Sequence, residues 1–182
     1  MAEAEVHRAV RSGNLAWLRR VLARNPALVN DQMLVTSATP LHIACHEGQP
    51  AMAEELLRWH ADVDARDDAD ETPLHKAVAF RHASLLSAFF LARRCLAAGR
   101  VLLDHRANVD ARDIHGNTPL HRAAQLGRKP FAELLLRYGA NPAVTNERGQ
   151  IPLRLAVQNN QHQLVELLRR YGDNGLLSPR RE

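Results

Sequence analysis

Aromatic residues and cysteines are scarce in this sequence. Only 4% of its 182 residues are Phe, Trp or Tyr, and the two cysteines, Cys45 and Cys95, have no CxxC or other metal-ligand spacing. A β-sandwich of this length would be richer in aromatic and β-branched residues. Two unrelated cysteines also argue against a disulfide framework and favour a reducing compartment.

Long hydrophobic runs are also absent. The longest apolar stretch, residues 85–92, is interrupted by Ser87 and followed by two arginines, whereas a membrane-spanning helix needs about 20 apolar residues. Residues 1–5 are acidic, where a secretory signal would be basic and then apolar. We therefore predict a soluble, cytoplasmic protein. A nuclear location or secretion into a host stays an alternative.

Charge of one sign does not dominate either. The 24 basic and 20 acidic residues give a net charge of +4, and aromatic residues are not interleaved with the basic ones, so nucleic-acid binding is not favoured. A nucleic-acid-associated regulator that uses the C-terminal arginines stays an alternative, which salt-sensitive DNA binding would support. These arginines are Arg169, Arg170, Arg180 and Arg181.

Alanine and leucine are abundant, with 28 and 27 copies, which favours an all-α protein. A short motif recurs four times at separations of 33, 46 and 33 residues. Its copies are Thr39-Pro40-Leu41-His42-Ile43-Ala44, Thr72-Pro73-Leu74-His75-Lys76-Ala77, Thr118-Pro119-Leu120-His121-Arg122-Ala123 and Ile151-Pro152-Leu153-Arg154-Leu155-Ala156. A second motif lies between copies at 61–67 and 107–113, with a degenerate copy at 140–143.

The two motifs and their period resemble those of the ankyrin repeat family over residues 3–172. The resemblance implies an all-α, ankyrin-like solenoid of about five helix-turn-helix repeats with β-hairpin fingers, the third repeat carrying a 13-residue insertion. It predicts a single ankyrin-repeat domain at 1–173, with repeats at about 3–36, 37–69, 70–115, 116–148 and 149–173. The tail, 174–182, is predicted to be frayed.

Each residue type in the repeat motif also has a physical role in the predicted helices. Threonine is a good N-cap, and the proline after it suits the first helical position, so Thr39, Thr72 and Thr118 are predicted to begin helices. The leucine that follows each proline, and a pair of leucines in each second helix, are predicted to face the core. No single repeat can bury these faces, so neighbouring repeats must stabilise each other.

Histidine recurs once per repeat, at His42, His75 and His121. Packed helical layers lie about 8 to 10 Å apart, whereas Zn–N bonds are about 2 Å, so these side chains cannot share a metal ion. As in the family, each is expected to hydrogen-bond the finger backbone between adjacent repeats. No metal site or cofactor is predicted, and no nucleophile, phosphate-loop or dinucleotide motif indicates an enzyme.

Three positions depart from the family pattern. His60 and Arg106 replace the usual Gly before each finger, and Asp70 stands where a finger Gly is expected. Non-Gly residues at positive φ cost about 1 kcal/mol or more. We therefore predict reduced local stability or an altered turn at these positions.

The insertion lies in the third repeat. The segment from 83 to 104 is predicted to be helical, either unbroken or as two helices that meet near Gly99. Its apolar side chains extend beyond one repeat's neighbours, and an exposed apolar patch indicates a contact site for a partner or a second copy. The alternative is that the insertion folds back and is buried. The predicted contact residues are Phe89, Phe90, Cys95 and Leu96. Of the two thiols Cys95 is the better candidate for exposure, although core packing is the favoured role for it.

The resemblance implies a concave groove formed by finger tips and the ends of the first helices. In the second finger six acids lie within ten residues, opposed only by Arg66, so a basic partner segment could bind there. The alternative is that these acids only keep the finger soluble. The predicted partner-binding residues are Asp68, Asp70, Glu71, Phe80, Ile114, His115, Asn117, Gln125, Leu126 and Arg148.

The predicted function is non-enzymatic protein–protein recognition by a scaffold, adaptor or inhibitor. A bacterial effector that acts on a host protein is the alternative within the same mode of binding. The sequence does not identify the partner, because unrelated functions share one fold.

Overall fold

A computed structural model describes residues 4–80 and 85–175, with side chains for 4–80 and 90–171. The described residues form ten α-helices and a short 3₁₀ turn, with no strand. The helices are α1 (Glu5–Arg11), α2 (Leu15–Arg24), α3 (Pro40–His46), α4 (Pro50–Arg58), α5 (Pro73–Val78), α6 (Leu85–Asp104), α7 (Pro119–Leu126), α8 (Lys129–Arg137), α9 (Pro152–Gln158) and α10 (His162–Gly175). The predicted all-α repeat fold is confirmed. The predicted fingers are hydrogen-bonded turns. The second is closed by Asp67 N–H to Glu71 O (3.2 Å) and Asp70 N–H to Asp67 O (3.0 Å), and the third and fourth have equivalent bonds.

The chain divides into two compact units, Met1–Asn108 and Val109–Glu182. In the first, α1 packs on α2, α3 on α4, and α5 on both α3 and α6. In the second, α7 packs on α8 and α9, and α10 packs on α8 and α9. The single-domain boundaries stay a prediction.

Helix starts follow the predicted capping. Pro40, Pro73 and Pro119 occupy the first turn of α3, α5 and α7, each after an extended Thr. In α7 the Thr118 Oγ1 also accepts from the His121 N–H at 3.4 Å. Helix α9 begins at Pro152, and its N-cap residue Ile151 makes no side-chain cap because isoleucine has no acceptor.

The core of each unit is made mainly of the predicted leucines. Leu41, Leu74 and Leu120 are fully buried, and so are the paired-leucine positions Leu56, Leu102 and Leu135. Leu153 in α9 is only half-buried. No helix in the described part of the chain is both long and apolar enough to cross a membrane.

The insertion is one helix. Helix α6 spans 20 residues, eleven more than α4, and Gly99 lies within it without a break. The unbroken alternative is therefore confirmed from Leu85, while residues 83 and 84 fall outside the described residues. Helix α6 packs against α3, α4 and α5.

Candidate functional site: the finger turns and the helix ends beside them

A histidine ties the second finger turn to helix α3, and an equivalent histidine ties the fourth turn to α7. The Thr39 N–H donates to His42 Nδ1 (3.1 Å), and His42 Nε2 donates to the Glu71 carbonyl (2.9 Å). In the second unit His121 makes the same two bonds, with Thr118 (3.1 Å) and Gln150 (2.9 Å). The predicted role is confirmed for His42 and His121, and for His75 it stays a prediction. Because Nδ1 accepts, the proton is on Nε2 and the ring is neutral, and burial lowers the pKa of both histidines.

Inside each turn one side-chain oxygen accepts from two backbone amides. Asp67 Oδ1 accepts from Ala69 N–H (3.0 Å) and Glu71 N–H (2.9 Å). Asp113 and Asn146 do the same in the next two turns. This arrangement was not predicted from the sequence, although an Asp or Asn five residues before the N-caps of α5, α7 and α9 was the available signal. The turns are therefore held in one conformation, and their tips project from a fixed base.

In the second and third turns, acidic residues pair with a basic side chain of the helix that follows. Lys76 contacts the carboxylates of both Asp67 and Glu71, and Arg122 lies 3.2 Å from Asp113. Burial raises the pKa of Asp67, but the bond and charge of Lys76 outweigh it and hold that pKa below its usual value. Where neutral Asn146 replaces Asp, neutral Leu155 replaces the cation. The second finger is therefore less acidic than its sequence suggests.

The first unit contains a cavity of about 250 Å³ beside its finger turns. Its rim includes the ion pair of Arg11 with Glu47 (3.6 Å) and the exposed Asp68. We call it the first cavity; its lining residues are Arg11, Met33, Thr36, Ala38, His42, Ile43, His46, Glu47, Asp67, Asp68 and Lys76.

The second unit has a smaller, more polar cavity of about 180 Å³. This second cavity is lined by His115, Asn117, Arg122, Gln125, Asn146, Glu147, Arg148, Gln150 and Leu155. Four of the predicted partner-binding residues thus lie together: His115, Asn117, Gln125 and Arg148. The exposed Ile114 (52%) and Leu126 (42%) are outside its lining.

Three predicted contact residues are buried instead. Phe80 is 1% exposed, so its ring belongs to the core of the first unit and is unavailable as an anchor. Glu71 is 8% exposed because Lys76 draws its carboxylate inward. Cys95 is fully buried and its thiol donates to the His46 carbonyl at 3.8 Å, so it packs in the core, as favoured, and the predicted contact at this residue is wrong.

The remaining insertion residues differ in exposure. Phe90 is 69% exposed and Leu96 is half-buried. Phe89 lies in α6, but its side chain is outside the described side chains. The insertion is thus buried at Cys95 and exposed at Phe90, and both of the sequence-based alternatives hold for part of it.

Leu34 and Val35 were not among the predicted contact residues. They form the tip of the first finger turn and are 77% and 84% exposed. The signal was two adjacent aliphatic residues in the first repeat, where two extra residues lengthen the segment between motifs. Within the described chain, no group of three or more His, Cys, Asp or Glu side chains is placed to hold a metal ion.

Family models described as ankyrin repeats match residues 6–95 and 102–156, so the chain belongs to the ankyrin repeat family. It is 41% identical over 70 residues to protein phosphatase 1 regulatory subunit 27 of Mus musculus, covering 38% of this chain and 44% of that protein. It is 40% identical over 76 residues to NF-kappa-B inhibitor alpha of Gallus gallus, covering 42% and 23%. It is 35% identical over 79 residues to Neurogenic locus notch homolog protein 1 of Homo sapiens, covering 43% and 3%. The chain matches less than half the length of each of these relatives.

Proposed function

We propose that this protein is a non-enzymatic protein–protein interaction module, a scaffold, adaptor or inhibitor, that binds a partner through finger turns and adjoining helix ends. The observation that carries the proposal is the second cavity, where side chains of α7 and of two successive turns converge around His115, Gln125 and Arg148. A standard interface buries about 800 Å² per partner, which several such turns together are able to supply.

Two relatives support a regulatory role by their names. One is a regulatory subunit of a protein phosphatase and the other an inhibitor of NF-kappa-B. Both names describe proteins that control another protein. A regulator of this kind needs no cofactor and no catalytic group.

The second finger supplies charge for recognition. Asp68 and Asp70 are exposed, whereas the charge of Glu71 is paired with Lys76 inside the turn. A basic segment of the partner is proposed to contact these two aspartates, since opposite charge at an interface raises the association rate and sets register.

Helix α6 carries a second proposed contact. Phe90 is the exposed large apolar side chain of the described part of that helix, and it is proposed to contact the partner or a second copy of the chain. A bacterial effector and a nucleic-acid-associated regulator stay alternatives, and none of the contacts described above favours either of them.

Capture of partners from the lysate of the source organism tests the proposal. The wild-type chain is compared with Gln125→Ala/Arg148→Glu in the second unit and with Phe90→Ser in α6. Arg137→Glu, an exposed charge reversal on α8, is the matched control. We expect the cavity variant to lose partners that the control retains. Equal capture by all variants would contradict binding at the finger turns.

A further inference from the structure

We propose, as a refinement that rests on the proposed function, that the first unit binds a partner segment in which an aliphatic residue stands next to a lysine or arginine. The tip of the first finger turn would take the aliphatic side chain, and the second finger turn would take the cation. Neither Leu34 nor Val35 belongs to the contact set predicted from the sequence.

The aliphatic part of the contact comes from the exposed tip. Leu34 and Val35 are the two most exposed large hydrophobic side chains of the described chain, at 77% and 84%. They are adjacent in sequence, so they form one patch. Covering apolar surface gains about 25 cal/mol per Å², and an aliphatic partner side chain would cover both.

The acidic residues that would bind the partner's cation lie next to that tip. The Asp68 N–H donates to the Thr36 carbonyl at 3.1 Å, which joins the two turns side by side. Thr36 and Asp68 both line the first cavity, whose apolar lining includes Met33, Ala38 and Ile43. At about 250 Å³ this cavity is below the 300 to 1,000 Å³ typical of small-molecule pockets, so its size suits protruding side chains.

The charges around the first cavity leave a negative excess at this point. Arg11 pairs with Glu47, and Lys76 pairs with Asp67 and Glu71. Among the described residues, no cation pairs with the side chain of Asp68 or Asp70; Arg66 donates to the Asp70 backbone carbonyl instead. The carboxylates of Asp68 and Asp70 thus attract a cation from outside the chain.

Selection from a displayed random-peptide library on the immobilised full chain tests this inference. We expect the enriched peptides to place Leu, Ile or Val beside Lys or Arg. An enriched peptide, labelled for fluorescence anisotropy, should bind Leu34→Ser/Val35→Ser about tenfold more weakly. Asp68→Asn/Asp70→Asn should weaken binding and flatten its salt dependence, because salt screens charge pairs at the surface.

A matched variant of the second unit, Val157→Ser, removes an exposed aliphatic side chain of α9 (52% exposed) and should bind the peptide normally. Enrichment without a basic residue, no enrichment, or equal affinity for Leu34→Ser/Val35→Ser would each overturn the inference. Lysate capture separates the two proposals. Loss of partners by the Gln125/Arg148 variant alone would overturn this inference and leave the proposed function standing.

Discussion

At the scale of single residues, the repeated histidines explain how a short motif specifies a tertiary contact. Nδ1 of His42 fixes the start of its own helix, and Nε2 reaches a turn 29 residues away. Each bond is buried, and an unsatisfied buried partner costs about 1 to 3 kcal/mol. One residue therefore couples helix initiation to repeat packing.

These histidines predict a loss of stability in mild acid. Burial lowers the pKa of His42 and His121 in the folded chain, so the unfolded chain binds protons first as pH falls below about 6.5. The free energy of unfolding should decrease from about pH 7.5 to about pH 5.5, measured by urea denaturation. The pKa values of Asp67 and Asp113 are held below their usual value, so these two carboxylates do not contribute in this window. His121→Ala should be less stable and less pH-dependent, and greater stability in acid would refute the prediction.

The left-handed positions supply a second residue-scale test. His60 and Arg106 have φ of 64°, where Gly139 has 87°. Replacing either by Gly should raise the free energy of unfolding by about 0.5 to 1 kcal/mol, since released strain exceeds the entropy that Gly adds to the unfolded chain.

Gly139→Ala is the reciprocal control for these substitutions. Its added Cβ would meet no atom within 4 Å, so only backbone strain changes, and stability should fall by about 1 kcal/mol. If His60→Gly and Arg106→Gly also lowered stability in thermal denaturation, the backbone strain at these turns would be smaller than the entropy that Gly adds to the unfolded chain.

At the scale of elements, the insertion helix is anchored on the α3–α4 loop. A Cβ on Gly48 would lie 2.9 Å from Cys95 Sγ and 3.0 Å from the Cys95 backbone nitrogen. Gly48 also has φ of +61°. The approach of α6 therefore depends on glycine for both space and conformation.

Gly48→Ala should cost more than Gly139→Ala. The first substitution adds a steric clash to the backbone strain, for a total of roughly 2 to 3 kcal/mol, whereas the second adds strain alone. Chemical denaturation of both variants measures the difference. Equal costs would show that α6 does not pack closely on the loop in solution.

The two thiols should be inert in the native protein. Cys45 and Cys95 are both buried, and burial raises the pKa of Cys45 above its usual range. We expect no modification by a water-soluble thiol reagent until denaturant is added, and then reaction at both residues. Rapid labelling of Cys95 in native conditions would contradict the burial of α6 at that residue.

At the scale of the whole molecule, each compact unit presents its own cavity beside its finger turns. The first combines an aliphatic tip with acids, and the second is lined mainly by polar groups. Different partner chemistries are therefore expected at the two cavities, which is why variants in each unit serve as controls for the other.

Self-association through α6 is predicted to be weak. A 20-residue helix is about 30 Å long and about 10 Å wide, so one face offers roughly 300 Å², below the about 800 Å² per partner of a stable interface. Light scattering at high concentration should give the mass of a monomer. A doubled mass that Phe90→Ser restores to the monomer value would show α6 to be a homodimer contact.

The sequence by itself determined the repeat fold, because its signals are local. The Thr-Pro caps act within a few residues of where they occur, and the leucine period and the once-per-repeat histidine can be recognised within one repeat. The local signals predicted the helix starts and the unbroken α6 as one of two alternatives, and the family resemblance implied the histidine bonds.

Only the tertiary structure decided which predicted contacts are accessible. Phe80, Glu71 and Cys95 are buried by groups distant in the chain or in the next helix, and Leu34 and Val35 are exposed because nothing in the first unit covers them. Burial depends on packing between segments, and a local pattern does not specify it.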